Sequence, residues 1–519
     1  MKRSIHLLNF FLFAFLMGTL SAQNSTLNGQ AVQMDMNALT WIAADDDNQF
    51  AMVTLTPGMM GGYEDLIINR YDKNTQKLEV HTVDDDLDAR FAYMHDDLIC
   101  VLKQDINKKT KSVEYLQGSF FKDITQVKKM NFTPLYSVSL NENKLYSYKI
   151  DFSPDKSKFA ILTLLAPKSA KESRHIADVA VFSTNGELLW HQQQNADWHV
   201  NRDIPFYLSN SGTVYIAEFG CLDNARYQRE DSLYISVYNA QGIENTKESL
   251  GNHAKYYCGK CLLKDNRLVI TGIACPNGRN SNQLTTFFVS EDGSVEQVTT
   301  EVELPTVPEG IVYDAKEFYG APDAFVPYIS QVCELKNGKL FLVGEYIKRG
   351  EVGTSITLGG MAGFSSDIIY GYYSRNLFCT TLSPDGEELE THTYPRATIT
   401  VELWPNKVNN NPPYVFEHDD DIYLLYNENK ANFQATQPQR WTFLYNNMAD
   451  KCCVVLSKIE NGDQLSNKVL YTAQAFPYPQ QPALTSNFEF FSKVLTIDEN
   501  AVYYLLKHDK EFRIEKISW

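Results

Sequence analysis

The chain has 519 residues, is 44% apolar and carries 47 Lys and Arg against 64 Asp and Glu, for a formal net charge of −17. The apolar content is ordinary for a globular protein, and the acidic balance without any basic stripe excludes a nucleic-acid partner, whose phosphates demand a basic footprint. After residue 22 no run approaches about 18 uncharged apolar residues, so no transmembrane segment is expected in the mature chain.

Taken in chain order, residues 1–22 read as a secretory signal. Lys2 and Arg3 precede an apolar run from Leu7 to Leu20, and the small residues Ser21 and Ala22 follow, placing cleavage after Ala22 or Gln23. Roughly 14 apolar residues are too few to span a bilayer comfortably. The chain is therefore expected to be exported, to the periplasm, the cell surface or the medium, with residues 23–519 as one domain.

A polar turn followed by an apolar, β-rich run then recurs along the chain. The runs are Gln49–Thr56, Leu98–Gln104, Lys158–Leu165, Thr213–Phe219, Arg267–Ala274, Lys339–Tyr346, Ile422–Asn427 and Ala501–Lys507. Asp45-Asp46-Asp47-Asn48, Ser153-Pro154-Asp155-Lys156, Asp265-Asn266, Asn337-Gly338 and Asp419-Asp420-Asp421 are among the turns that introduce them. These residue types supply the dihedrals of tight hairpins. A second hairpin follows most runs, around Asn185-Gly186, Gln241-Gly242, Asp292-Gly293, Asp385-Gly386 and Asn461-Gly462. Two hairpins per unit predict a four-stranded antiparallel sheet, and 30 Tyr with 29 Phe suit pleated, half-buried surfaces.

The segment FSPDKSKFAIL at Phe152–Leu162 resembles the blade motif of WD-type and related bacterial β-propellers. The likeness covers one unit closely and the others as a hairpin pattern, and it implies a fold without an activity. The expected fold class is all-β: a single β-propeller of about eight four-stranded blades, with seven as the competing count if the second unit is irregular. The segment Ala31–Asn37 is expected to pair with the C-terminal strand Phe512–Trp519, completing the last blade and removing two sheet edges.

In such a blade the a–b and c–d turns share one end, and the b–c loops and d–a crossings share the other. The tight turns fall in the first class. The second is expected to hold long irregular segments: Ala166–Ala177, Gly220–Glu230, Pro276–Gln283, Glu303–Pro327, Lys348–Ser374, Pro395–Pro413, Asn429–Asp450 and Gln474–Asn487. Loops on a rigid scaffold carry function. The binding residues expected at that end are Trp198, His199, Arg202, Asp203, His253, Tyr256, Tyr328, Trp404, Tyr414 and Trp441. Packing of the tryptophans against the blades, and ion pairing of Arg202 with Asp203 between blades, are the competing accounts.

Cys258-Gly259-Lys260-Cys261 lacks the strand–helix setting of a redox dithiol. A disulfide from Cys258 to Cys221 or Cys275, free buried thiols, and zinc on Cys221, Cys258, Cys261 and Cys275 remain open. Cys333 and Cys379, two strands apart, are expected in the core. The Asp runs lack the spacing of a calcium loop, and Leu358–Gly363 lacks the Lys-Ser/Thr of a phosphate loop. No nucleophile signature appears, and no metal or cofactor is expected. The function expected from sequence is a non-catalytic binding or scaffold protein of a bacterial cell envelope, taking a protein or glycan on the long-loop end. The alternative is a secreted polysaccharide hydrolase or lyase with opposed carboxylates at the channel mouth.

Overall fold

The computed structural model describes residues 32–33, 40–44, 50–57, 63–72, 74, 77–84, 89–95, 98–121, 131–167, 175–196, 204–218, 232–249, 257–274, 281–303, 312–313, 326–359, 363–401, 413–429, 431–434, 440–441, 444–445, 452–460, 464–472, 491–497, 501–508 and 511–518. They form four-stranded antiparallel sheets that follow one another along the chain, eight in all, one of which gains a fifth, parallel strand, and a separate parallel two-stranded pair. Within each four-stranded sheet neighbouring strands are antiparallel, the up-and-down order of a propeller blade.

The sheets in chain order begin with Thr40–Ala44, Phe50–Pro57, Tyr63–Tyr71 and Lys77–Asp84. The second is Ala89–His95, Leu98–Asn107, Ser112–Phe121 and Thr133–Ser139; the third is Asn143–Phe152, Lys158–Pro167, His175–Ser183 and Leu188–Ala196. The fourth is Phe206–Leu208, Val214–Glu218, Ser232–Asn239 and Gly242–Ser249, and the fifth is Tyr257–Lys264, Arg267–Ala274, Ser281–Val289 and Val295–Glu303. The sixth is Val326–Glu334, Leu340–Gly359, Gly363–Leu382 and Glu388–Val401, joined by Leu444–Tyr445. The seventh is Tyr414–His418, Asp421–Asn429, Cys452–Glu460 and Gln464–Thr472. The last is Phe491–Ile497, Ala501–His508 and Glu511–Ser518, with Val32–Gln33 added antiparallel to its outer strand, Val32 opposite Phe512 and Gln33 opposite Glu511.

Side-chain alternation explains why such sheets stack face to face. Along Lys158–Pro167, Phe159, Ile161 and Leu165 pack with Tyr93, Cys100 and Tyr115 of the second sheet. The intervening Ala160, Leu162 and Leu164 pack with Leu208, Val214 and Ile216 of the fourth. A period of two thus serves both neighbours from one strand, and each fully buried Leu or Ile contributes about 1.5–3 kcal/mol. The pattern continues through Tyr215 with Ile270, Ile273 with Leu342, Val343 with Leu424 and Val454 with Val502. This interleaving of successive sheets is the packing of a β-propeller. Outer strands escape it on their solvent edge, so Leu188–Ala196 is mostly polar after its exposed Leu188 and Leu189.

Turn chemistry follows the sequence. Ser183-Thr184-Asn185-Gly186 closes with Gly186 N–H donating to the Ser183 carbonyl, and Gly186 takes φ +91°, which only glycine adopts without strain. The two-residue turns Asp265-Asn266 and Asp419-Asp420 have positive φ throughout, as a hairpin matched to strand twist requires. The first turn of each central blade is also stitched to the next. Asp155 N–H donates to Asn210 Oδ1 (2.9 Å), Asn210 N–H to Asn266 Oδ1 (3.2 Å), and Lys336 N–H to Glu417 Oε2 (2.6 Å).

Three expectations change. Lys348–Ser374 is not an irregular loop but the far half of a hairpin, paired from Leu340↔Leu382 to Gly359↔Gly363. Pro395 does not end its strand: Glu388–Val401 continues through a bulge, where Leu377 faces Tyr394 and Arg375 faces Ala397. Proline is tolerated there because a bulge leaves its missing donor unneeded. Long connections also do not all fall at one end. In the second sheet the long link lies between its third and fourth strands (122–132), while its b–c turn at 108–111 is short.

Candidate functional site

Of the residues expected to bind, Trp198, His199, Arg202, Asp203, His253, Tyr256 and Trp404 lie outside the described residues, as do Cys221 and Cys275. Cys258 is placed by its backbone on Tyr257–Lys264, opposite Ile273, and Trp441 by its backbone, parallel to Tyr313. Tyr328 and Tyr414 are described in full, and both work in packing. Tyr328, half-buried, faces Glu345 across the sixth sheet, with the Lys260 ammonium 5.6 Å from its ring centroid. Tyr414 packs on the cluster joining the seventh and last sheets, and burial, then Cys333, raises its phenol above the usual range.

What the structure adds at the long-loop end is an arm. Strand Val326–Glu334 pairs with Leu340–Gly359 only as far as Val326↔Ile347. Lys348–Gly359 runs on for about 40 Å at roughly 3.3 Å per residue. Gly363–Leu382 accompanies it to the tip, and Glu388–Val401 accompanies its lower part as far as Gly371↔Val401. Two chain segments from neighbouring crossings gather at this lower part. Leu444–Tyr445 adds parallel to Thr398–Ile399, and Val312–Tyr313 pairs parallel with Arg440–Trp441. Among the described residues, the distal ribbon has no strand partner on either outer edge. A two-stranded ribbon with open edges is a template for further pairing.

Beneath the arm lies a buried charged cluster. Glu345 and Arg396 stand on the second and fourth strands of the sixth sheet, and Arg396 Nη1 donates to Glu345 Oε1. The guanidinium carbon is 5.4 Å from the Tyr426 ring centroid on the seventh sheet. Burial lowers the Arg396 pKa to about 10, opposed by the Glu428 carboxylate. Tyr426 shares its hydroxyl proton with Ser457 Oγ at 3.0 Å, and burial raises its phenol.

A second constellation joins the outer strands of the second and third sheets. Asp178, buried, accepts from Tyr136 Oη (3.0 Å) and Gln193 Nε2 (3.2 Å) and pairs with His191 Nε2 (2.9 Å). Burial raises its pKa despite these partners. Its carboxylate oxygens are occupied by neighbouring-blade and same-blade donors, which suits an inter-blade tie. Spacing along the chain gives no signal for either cluster, because each is assembled across strands.

The thiols of Cys100, Cys261, Cys333 and Cys379 are free, Cys453 Sγ donates to the Glu428 carbonyl oxygen (3.4 Å), and Cys379 sits in the core with Cys333 packed beside it, as expected. Among the described residues no group of three or more His, Cys, Asp or Glu could hold a metal, and no helix is long and apolar enough to cross a membrane.

The chain matches no protein-family model and no curated protein. It is similar to solved structures at low identity. The β-propeller domain of the Trilobed protease from Pyrococcus furiosus matches at 11% identity over 86% of this chain and 99% of that one, with a TM-score of 0.33. The polysaccharide lyase Uly1 matches at 11% identity over 96% and 94%, with a TM-score of 0.32. The Dos1 propeller matches at 10% identity and a TM-score of 0.32, over 58% of this chain and less than two thirds (64%) of its own. At these scores the fold assignment stands on the sheet order and the interleaved cores.

Proposed function

We propose that this chain is an exported binding propeller of a cell envelope, a closed eight-bladed ring of residues 23–519, and that it recognises an extended segment of another envelope protein along the arm of the sixth sheet. The arm is the observation that carries this. A stack of interleaved sheets is rigid, so little is lost to reorganisation when a partner docks. Strand edges offer main-chain donors and acceptors that an extended polypeptide pairs with, side chains then supplying selectivity. The chain's own Leu444–Tyr445 already uses the lower edge in this way. Ring closure is supported by the first strand of the last sheet adjoining that of the first, and by the Val32–Gln33 pairing.

The test compares residues 23–519 with a variant in which residues 351–370 are replaced by Asn-Gly, joining the facing pair Gly350 and Gly371. Both are presented with fractionated envelope proteins and with a glycan array. Retention of specific proteins by the full chain, lost at least about tenfold in the shortened one at equal thermal stability, is expected. Equal retention by both overturns the proposal. Retention of glycans alone overturns the choice of a polypeptide. The pair Trp404→Ala and Trp441→Ala reports whether the aromatic crossings contribute.

A further inference from the structure

The excursion that leaves the seventh sheet after Asn429 is anchored twice on one strand of the sixth. It begins where Glu428 Oε1 accepts from the Asn429 N–H (2.8 Å) and from Asn432 Nδ2 (3.1 Å), and where Asn429 Oδ1 accepts from the Ala431 N–H (3.0 Å). Glu428 is fully buried, and its charge favours the protonated guanidinium of Arg396. The excursion then returns at Arg440–Trp441 and Leu444–Tyr445, with Leu444 opposite Thr398. Arg396 and Thr398 are two residues apart on Glu388–Val401. One anchor is therefore electrostatic and the other a strand pairing.

We propose that Arg396 is a positioning residue: its buried guanidinium, bonded to Glu345 and stacked over Tyr426 on the strand that ends at Glu428 and Asn429, seats the seventh-sheet excursion on the root of the arm and fixes the composite surface there. The functional meaning of that surface rests on the recognition role proposed above; the seating does not. Arg396 is 2% exposed and both carboxylates are fully buried. Taking such charges out of water is costly unless their partners are in place, and removing one partner leaves the others under-compensated. Two carboxylates around one guanidinium also make the contributions unequal. Changing Glu428 to its amide relieves negative charge and keeps an oxygen that can accept from Asn429 and Asn432, whereas removing the guanidinium takes from Glu345 the cation it is bonded to.

Amide hydrogen exchange on residues 23–519 reads this without a ligand, so its failure is distinct from failure of the recognition proposal. In Arg396→Met, which fills the volume without the charge, exchange across 429–445 is expected to speed up about tenfold or more, while 175–196 stays protected as before. Arg396→Lys, with charge but no planar fork, is expected to lie between, and Glu428→Gln close to the unaltered chain. Unchanged exchange at 429–445 in Arg396→Met overturns the proposal, as does equal acceleration in both segments, which would mark a general stability role. Should Arg396→Met fail to accumulate, the double variant Glu345→Gln/Glu428→Gln, which leaves the guanidinium without either carboxylate, reads the same contact. Its unaltered exchange would equally overturn the seating.

Discussion

The Phe378 ring occupies the space that a side chain on Gly344, its directly opposed residue, would need. Gly344 lies on the second strand of the sixth sheet between Val343, which packs toward the seventh, and Glu345, which meets Arg396. Glycine there lets Phe378 join the core shared with the fifth sheet. Gly344→Ala is expected to destabilise the fold by about 1–3 kcal/mol through overpacking, measured by urea unfolding. Adding Phe378→Leu should restore part of the loss. Independent, additive losses from the two changes would show that the ring is not the obstacle.

Asp151 gives a pH dependence with a definite sign. Its half-buried carboxyl accepts from the Leu208 N–H (2.9 Å), yet burial pushes its pKa up to about 6 from 3.8. A raised carboxyl pKa means the folded state holds its proton longer than the unfolded chain. Its contribution is therefore full below about pH 4 and is lost as pH rises through 6. Relative to Asp151→Asn, the unaltered chain should lose about 1–2 kcal/mol between these limits, less than the full shift because the group is half-buried. A flat difference between the two unfolding curves from pH 4 to 7 would contradict this.

The core thiols should resist alkylation. Burial raises Cys261 and Cys379, and moves Cys333 from 9.0 to about 12, which makes its thiolate about a thousandfold scarcer at pH 8. Iodoacetamide at pH 8, read by peptide mass spectrometry, should leave these three unmodified in the native chain and modify them in denaturant. Rapid native labelling of Cys261 would instead reopen a redox role for the C-x-x-C.

Removing residues 31–37 should expose the outer edge at Glu511 and Phe512. Loss of the Val32 and Gln33 pairings is expected to cost about 1–2 kcal/mol in urea unfolding, and the open edge should favour association, read by light scattering after gel filtration. An unchanged midpoint with a monodisperse monomer would mean that the N-terminal strand contributes nothing to closing the last sheet.

The sequence by itself determined the strand-rich class, the paired hairpins and their turns. These are local matters: Gly186, Asp265-Asn266 and Asp419-Asp420 tolerate the left-handed backbone that a tight turn requires, and Lys158–Pro167 is apolar on both faces because both faces are covered. Tertiary structure alone decided the arm and the cluster at its root. Lys348–Ser374 reads as a loop because Gly350, Gly353, Gly359 and Gly371 punctuate it, and Pro395 reads as a strand end. Both are overridden by pairing with partners tens of residues away, through bulges that absorb the misfit. Glu345, Arg396 and Glu428 are far apart in the chain, and no spacing rule joins them. Strand pairing within the sixth sheet brings Glu345 to Arg396, and stacking on the seventh brings Tyr426 and Glu428 to the same buried place, where the loss of water makes each depend on the others.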